Sequence, residues 1–189
     1  LREADIEEEF ARLQHEIDEA VQGNLENTAE QQRLEEACQK MQALLSTASP
    51  TYALIMEIDQ AASKAIRGGP LAIRSSGIIE DAQAGAYAGI AKTSLNITHD
   101  TSGELFNRIK EIWASFWEPQ GVLYRYQHLQ RLGAPEVGVA IQTMIDGDVS
   151  GVIFSKDPTS DDPVVAISAA WGLGEGVVSG KVASDLMRV

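Results

Sequence analysis

Apolar residues in the first third of the chain recur at spacings of three and four, the period of one face of an amphipathic helix. Two such stripes precede residue 49, and their members are Ile6, Phe10, Leu13, Ile17, Leu34, Cys38, Met41 and Leu45. Thr28 and Gln31 have the spacing of a capping box, so the second helix is predicted to have Thr28 as its cap. A third helix is predicted from about Thr51 to the helix-ending run Gly68-Gly69-Pro70.

The pattern changes after Pro70, where short β-rich runs separated by turn residues replace the helical stripes. Strands are predicted at 71–73, 94–97, 137–144, 149–154 and 164–168. A long helix around 105–116 and a shorter one around 122–132 stand between the second and third strands. Asp146-Gly147 lies between two apolar runs and predicts a hairpin there. Strands and helices do not alternate as in a Rossmann domain, so the predicted fold class is α+β.

The charge and composition of the chain limit the classes of molecule that it is expected to bind. The net charge is −13, and residues 1–36 alone hold twelve acidic and three basic residues. This charge would repel a polyanion, so no nucleic-acid partner is expected. No apolar run approaches the roughly 18 residues that a membrane span needs. The single cysteine, Cys38, excludes an internal disulfide and fits a cytoplasmic protein.

The segment that follows the first predicted strand carries the first candidate chemistry. Arg74 and two serines come at the strand's end, and a small-residue stretch with Gly85 and Gly89 leads on to Thr93. Glycines allow a backbone to approach a ligand closely, and arginine presents a fork of donors matched to phosphate. The segment is therefore a candidate phosphate site for a nucleotide. A hairpin with a mobile tip would give the same pattern.

Two later segments extend this hypothesis. The apolar strand at 138–145 could present its backbone to a purine, with Met144 and Ile145 as apolar cover, although a core strand without a ligand would look the same. Glu175 is the one carboxylate in a glycine-rich loop at 172–180. Magnesium in nucleotide sites is usually held by one or two carboxylates and phosphate oxygens, so Glu175 is a candidate ligand. A glycine-rich stretch by itself is a weak signal.

Taken in order, these segments resemble the N-terminal nucleotide-binding domain of the phosphoenolpyruvate synthase and pyruvate phosphate dikinase family. The resemblance covers about residues 50–189 and is nearest to phosphoenolpyruvate synthase, with rifampin phosphotransferase as a close relative. The matching motifs are Arg74-Ser-Ser, Glu80-Asp81, Tyr87-Ala-Gly89, Thr93-Ser-Leu-Asn96, Trp113-Ala-Ser115, Tyr124-Arg125, Gln142-Thr-Met144, Val149-Ser-Gly-Val152, Asp157-Pro158 and Trp171-Gly-Leu-Gly-Glu175.

The periodicity predicts a helical segment at 1–49, and the resemblance implies that an ATP-grasp-like domain at 50–189 follows it and binds Mg–ATP. The resemblance further implies phosphorylation of a histidine on a separate carrier domain, which delivers the phosphoryl group to pyruvate. Arg74 would be the catalytic residue in contact with the phosphates, and Glu175 would lie near the metal. The other residues implied to bind the nucleotide are Gly89, Thr93, Gln142, Met144, Ile145, Ser179 and Lys181.

Several positions depart from the family pattern. The family's phosphate-binding lysine has no counterpart before Arg74, and Ile167 replaces a common acid. Ser179 and Lys181 stand where glutamine and arginine are frequent. None of the three histidines has the setting of the phosphorylated histidine, so the carrier and pyruvate domains are expected to be missing from a truncated chain. Two alternatives to a phosphotransferase stay open. The chain could be a nucleotide-binding module without catalysis, or a protein-interaction module that uses the helices.

Overall fold

A computed structural model describes residues 3–65, 68–77, 92–98, 103–129, 133–157, 159–160 and 163–189. The chain divides into two compact units, Leu1–Met144 and Ile145–Val189. Helices combine with sheets whose described strands pair in antiparallel fashion, which confirms the α+β class. No helix in the described part of the chain is both long and apolar enough to cross a membrane.

The first unit contains five helices in its described residues. They are α1 (Glu3–Gln22), α2 (Thr28–Thr47), α3 (Tyr52–Ala65), α4 (Glu104–Ser115) and α5 (Pro119–Leu129). All five predicted helices are therefore confirmed, although their ends differ by a few residues. Such shifts arise because apolar periodicity marks the buried face of a helix and not its last hydrogen bond.

The start of α2 differs from the prediction in its capping residue. The cap is Asn27, whose side-chain oxygen accepts a hydrogen bond of 2.9 Å from the backbone N–H of Ala29. Thr28 is already the first residue of the helix, so its assignment as the cap is wrong. Asparagine caps helices at least as well as threonine, and here it stands one position earlier.

One hydrophobic cluster joins α1 and α2 to Trp117, which follows α4, and to Val122 of α5. The Phe10 and Trp117 rings meet edge to face, with centroids 5.7 Å apart and planes at 89°. This geometry is favourable for aromatic pairs beyond the area they bury. The buried members of the cluster are Leu13, Ile17, Ala20, Val21, Leu34, Ala37, Cys38, Met41, Leu44, Trp117 and Val122.

A three-stranded antiparallel sheet completes the first unit. Its strands are β1 (Leu71–Gly77), β2 (Thr93–Ile97) and β3 (Val137–Thr143), in the order β2-β1-β3. One face packs on α4 and forms a second cluster. The buried members of that cluster are Ala62, Leu71, Ile73, Ile97, Leu105, Ile109, Ile112 and Phe116. Because strand residues alternate between faces, Arg74 and Ser76 of β1 lie on the other face.

The second unit contains its own antiparallel sheet. The strands are β4 (Val149–Phe154), β5 (Ala166–Trp171) and β6 (Asp185–Arg188), in the order β4-β5-β6, and the short helix α6 (Gly174–Val178) packs on β4 and β5. The hairpin predicted at Asp146-Gly147 is wrong, because β3 pairs with β1 whereas β4 pairs with β5. The two turn residues lie between strands of different sheets.

Candidate functional site

Arg74 and Thr93 are the first two candidate site residues that the fold brings together. They are directly paired between the antiparallel strands β1 and β2. Both side chains are exposed, whereas Leu71, Ala72 and Ile73 earlier in β1 are buried. Directly opposed residues in such a pair project to the same face, with Cβ atoms about 5 Å apart. A guanidinium and a hydroxyl therefore share one exposed patch, although 19 positions separate them in the sequence.

The same exposed face continues onto β3. Ala140 is paired with Arg74 and Gln142 with Ala72, and both β3 residues are exposed. Gly138 lies further along this face, so small residues flank the arginine. A sheet face with short side chains around one cation leaves room for a flat or extended ligand.

Met144 follows β3 directly and is held at two points. Its backbone N–H donates a 2.9 Å hydrogen bond to the carbonyl of Pro70. Its Sδ atom accepts the backbone N–H of Asn96, at 2.9 Å. The side chain is half-buried. The first unit thus places Arg74, Thr93, Gln142 and Met144 on or beside one sheet.

The second unit holds the other group of candidate residues. Glu175 lies in the first turn of α6, and Ser179 caps the carboxyl end of that helix by donating its N–H to the Glu175 carbonyl at 2.9 Å. Lys181 Nζ lies 3.5 Å from Glu175 Oε1, and both side chains are exposed. The structure therefore brings these three residues together. Ile145, at the start of this unit, is exposed, and Gly89 lies outside the described residues.

Glu175 is suited to be one ligand of a magnesium ion whose remaining ligands are phosphate and water oxygens. Its carboxylate is solvent-exposed and is not committed to the protein core. In the described part of the chain, no three acidic, histidine or cysteine side chains cluster as a complete metal site. One carboxylate is compatible with magnesium binding only when phosphates complete the shell. Lys181 would then have to turn away from Oε1.

Asp157 is a buried acidic residue of the Asp157-Pro158 motif, and no role is predicted for it from the sequence. Its buried carboxylate accepts the N–H of Thr159 at 2.8 Å and the hydroxyl of Thr159 at 2.6 Å. Arg188 Nη2 lies 2.8 Å from Oδ2 as an ion pair without hydrogen-bond geometry. The Thr159 hydroxyl, then the Thr159 N–H, lower the pKa of Asp157 below its ordinary value.

The other positions flagged by sequence show ordinary surroundings where they are described. Cys38 is free, as expected for a chain with one cysteine, and its side chain is buried. His15 is exposed on α1, with Nε2 3.4 Å from Glu19 Oε1, and has the surroundings of a surface residue. His99 and the side chain of His128 lie outside the described residues.

Comparison with protein families supplies the context for this geometry. The family model described as pyruvate phosphate dikinase, AMP/ATP-binding domain, matches residues 4–189. The chain belongs to this family. The match includes the helices before residue 50 as well as the part in which the motifs were recognised. The resemblance inferred from those motifs is therefore confirmed.

Named relatives agree with the family assignment. An uncharacterized phosphotransferase of Bacillus subtilis, YvkC, is 42% identical over 120 residues, which is 63% of this chain and 14% of that protein. Rifampicin phosphotransferase of Bacillus cereus is 37% identical over 119 residues, 62% of this chain and 14% of its own length. A probable phosphoenolpyruvate synthase of Archaeoglobus fulgidus is 35% identical over 115 residues, 61% of this chain and 15% of its own length. The chain spans only a small part of these relatives.

Proposed function

We propose that this chain is the ATP-binding part of a phosphoenolpyruvate synthase-like phosphotransferase with an ATP-grasp-like domain. It would bind Mg–ATP and phosphorylate a histidine on a carrier domain, which passes the phosphoryl group to pyruvate. The observation that carries the proposal is the pairing of Arg74 with Thr93 on a face shared with Gln142. Membership in an AMP/ATP-binding family supports the proposal that the ligand of this patch is a nucleotide.

The chemistry of the patch suits a triphosphate. Phosphoryl transfer asks the protein chiefly to align the reacting groups and to neutralise developing negative charge. Arg74 would bind phosphate oxygens through its planar fork, and Thr93 would add a hydroxyl donor beside it. Gln142 and Met144, at the β3 end of the sheet, would contact the adenine, with Ile145 as additional apolar cover.

In the second unit, the proposed roles of Glu175, Lys181 and Ser179 rest on the family motifs and on the proximity of these three residues to one another. Glu175 would hold the magnesium ion, which supplies charge neutralisation to the phosphates when it is bound. Lys181, released from Glu175, would be free to contact a phosphate, and Ser179 would offer a hydroxyl one turn away. Gly89 remains a proposed part of the phosphate-covering loop on the strength of the motif alone.

The phosphate acceptor has a second candidate. Identity to rifampicin phosphotransferase, at 37%, is no lower than the 35% identity to a probable phosphoenolpyruvate synthase. Acceptor chemistry resides outside this chain in the proposed scheme, because the relatives are about seven times longer than the matched region. We therefore propose a rifampicin-like acceptor as the alternative to pyruvate.

Calorimetric titration with ATP, in the presence and absence of magnesium, tests the nucleotide site. We expect binding that strengthens with magnesium and that weakens about tenfold to a hundredfold in Arg74→Ala, the cost of one charge-assisted contact. Arg12→Ala is the matched control, because Arg12 is an exposed arginine on α1 that pairs only with neighbours of its own helix among the described contacts. Its affinity should equal that of the parent.

The same titration separates the alternatives. Equal ATP affinity in Arg74→Ala and the parent would contradict the proposed phosphate site. ATP binding without phosphate transfer to a supplied carrier domain would favour a nucleotide-binding module that lacks catalysis. No ATP binding together with a tight protein partner in pull-down would favour an interaction module.

A further inference from the structure

Asn96 has an unusual backbone conformation for a residue in a strand. Its φ is 57°, and among the described residues every other position with a positive φ is a glycine. Asparagine is one of the few residues with a side chain that adopts this left-handed region without a large penalty. This backbone conformation therefore restricts which residue types can occupy this position of β2 without strain.

The cause is a β-bulge between β1 and β2. Leu71 is paired with Ile97 and Ile73 with Ser94, so two residues of β2 face a single residue of β1. Asn96 is one of the two. Bulges redirect the strand and re-aim the groups at the extra position. Here the re-aimed group is the backbone N–H of Asn96.

That N–H points to the sulfur of Met144, at 2.9 Å from Sδ. The backbone of Met144 is tied separately to Pro70, whose carbonyl accepts its N–H at 2.9 Å. A methionine side chain is otherwise among the most flexible apolar groups, with three rotatable bonds. The two contacts hold the backbone of Met144 and the sulfur of its side chain, which is only half-buried.

We propose that Asn96 is a positioning residue for nucleobase recognition: its left-handed backbone directs the N–H that fixes Met144 against the base. This inference rests on the proposed function, in which Met144 contacts the adenine. Asn96 itself does not touch the nucleotide. A side chain that is ordered before binding loses less conformational entropy when the base arrives, so affinity for the base is higher.

Two substitutions isolate the backbone conformation. Asn96→Gly and Asn96→Ala both remove the amide side chain and both keep the N–H. Glycine adopts a positive φ readily, whereas alanine does not. We expect Asn96→Gly to bind ATP like the parent and Asn96→Ala to bind about threefold to tenfold more weakly, the effect of leaving one flexible side chain unordered.

Inorganic tripolyphosphate serves as the ligand without a base. Its affinity should be the same in the parent and in both variants, because Arg74 and Thr93 are untouched. A parent that binds neither ligand would show that the proposed function is wrong. A parent that binds ATP, with Asn96→Ala equal to it, would overturn only the role of Asn96. Equal weakening of ATP and tripolyphosphate in Asn96→Ala would also overturn it.

Methyl NMR tests the same point in the unaltered protein. The chain has four methionines, and Met144→Leu identifies the Met144 methyl signal by its loss. ATP should shift both this signal and the Asn96 amide signal, whereas tripolyphosphate should shift neither. ATP binding that leaves both signals in place would overturn the proposal, even where Asn96→Ala does not fold.

Discussion

Arg188 Nη2 lies 2.8 Å from Asp157 Oδ2 and links the last strand of the second unit to the turn after β4. Asp157 is buried, with 3% of its side chain exposed, whereas Arg188 is half-exposed at 52%. The other carboxylate oxygen accepts both the N–H and the hydroxyl of Thr159. One carboxylate thus connects two elements of a unit that has few buried side chains among its described residues.

Replacing Thr159 should reduce the acid sensitivity of the second unit. The Thr159 hydroxyl is the largest cause of the lowered pKa of Asp157. A carboxyl whose pKa is lower in the folded protein stabilises it above the unfolded pKa of about 4, and this stabilisation is lost as pH falls through the folded value. In Thr159→Val the hydroxyl is missing. The parent should therefore have the higher free energy of unfolding near neutral pH, and the difference between the two proteins should become smaller below pH 4.

The free energies of unfolding of the parent and of Thr159→Val can be compared by urea titration at pH 7 and at pH 3. Amide hydrogen exchange in β4 and β5 serves as the readout of the second unit. Thr159→Ser keeps a hydroxyl and is the matched control, which should retain most of the parent's pH dependence. A difference between parent and Thr159→Val that stays constant from pH 7 to pH 3 would show that the hydroxyl does not act through the Asp157 charge.

Gly151→Ala should destabilise the second unit by about 1 to 3 kcal/mol through overpacking. A Cβ at this position would lie 2.7 Å from the Ser168 carbonyl oxygen and 3.2 Å from the Ala169 Cβ, so a strand must shift. Gly147→Ala is the control, because its Cβ would meet neighbours only at 3.5 Å or more. Denaturant midpoints that are equal in the two variants would contradict this reading of β4–β5 packing.

The sequence was sufficient to predict elements whose signal is periodic. The helices were found because apolar residues such as Leu13 and Ile17 repeat on one face, and the β-rich runs after Pro70 were found by composition. Local patterns of this kind do not predict which strands pair with each other. Asp146-Gly147 has the local chemistry of a hairpin turn, but strand pairing depends on distant segments, and β3 takes β1 as its partner.

In the candidate site, too, the residues were predictable from the sequence, whereas their arrangement was not. Motif order selected Arg74, Thr93 and Gln142, yet their common face depends on the register of β1 with two other strands. The contact between Asn96 and Met144 could not be predicted, because it depends on a bulge that shifts this register by one residue. The only hint in the sequence was an asparagine among β-forming residues.

Cys38 should make the first unit less stable in alkaline solution. Burial is the largest cause that raises the pKa of its thiol, to about 12. An unfolded thiol ionises near pH 8.5, so the folded state loses stability as pH rises above that value, by about 1.4 kcal/mol per pH unit until the folded pKa is reached. Cys38→Ala lacks this titration and should show a weaker dependence.

Urea unfolding of the parent and of Cys38→Ala at pH 7.5 and pH 10 tests the expectation. Alanine lowers stability at both pH values because it leaves a small cavity, but the difference between the two proteins should narrow by about 2 kcal/mol at the higher pH. A difference that does not change with pH would mean that the thiol is accessible to ionisation in the folded state.

Removal of residues 1–49 tests the proposed division between a helical segment and a nucleotide-binding domain. Trp117 and Val122 are buried in the cluster that α1 and α2 form, and Lys110 Nζ donates to the carbonyls of Ser46 and Ala48 at 2.9 and 3.1 Å. A chain of residues 50–189 would expose both apolar side chains and lose these contacts. We expect it to lose its near-ultraviolet circular dichroism and its cooperative thermal transition.

Addition of the 1–49 peptide should restore part of both signals, because the two helices would re-form the cluster around Trp117. A peptide with Leu13→Asp and Leu34→Asp is the control, since burying two carboxylates in that cluster is unfavourable and should prevent the rescue. Cooperative unfolding of residues 50–189 alone, with the aromatic signal of the whole chain, would instead support an independent domain that begins at residue 50. Burial of Leu13, Leu34 and Trp117 in one cluster argues for the first outcome.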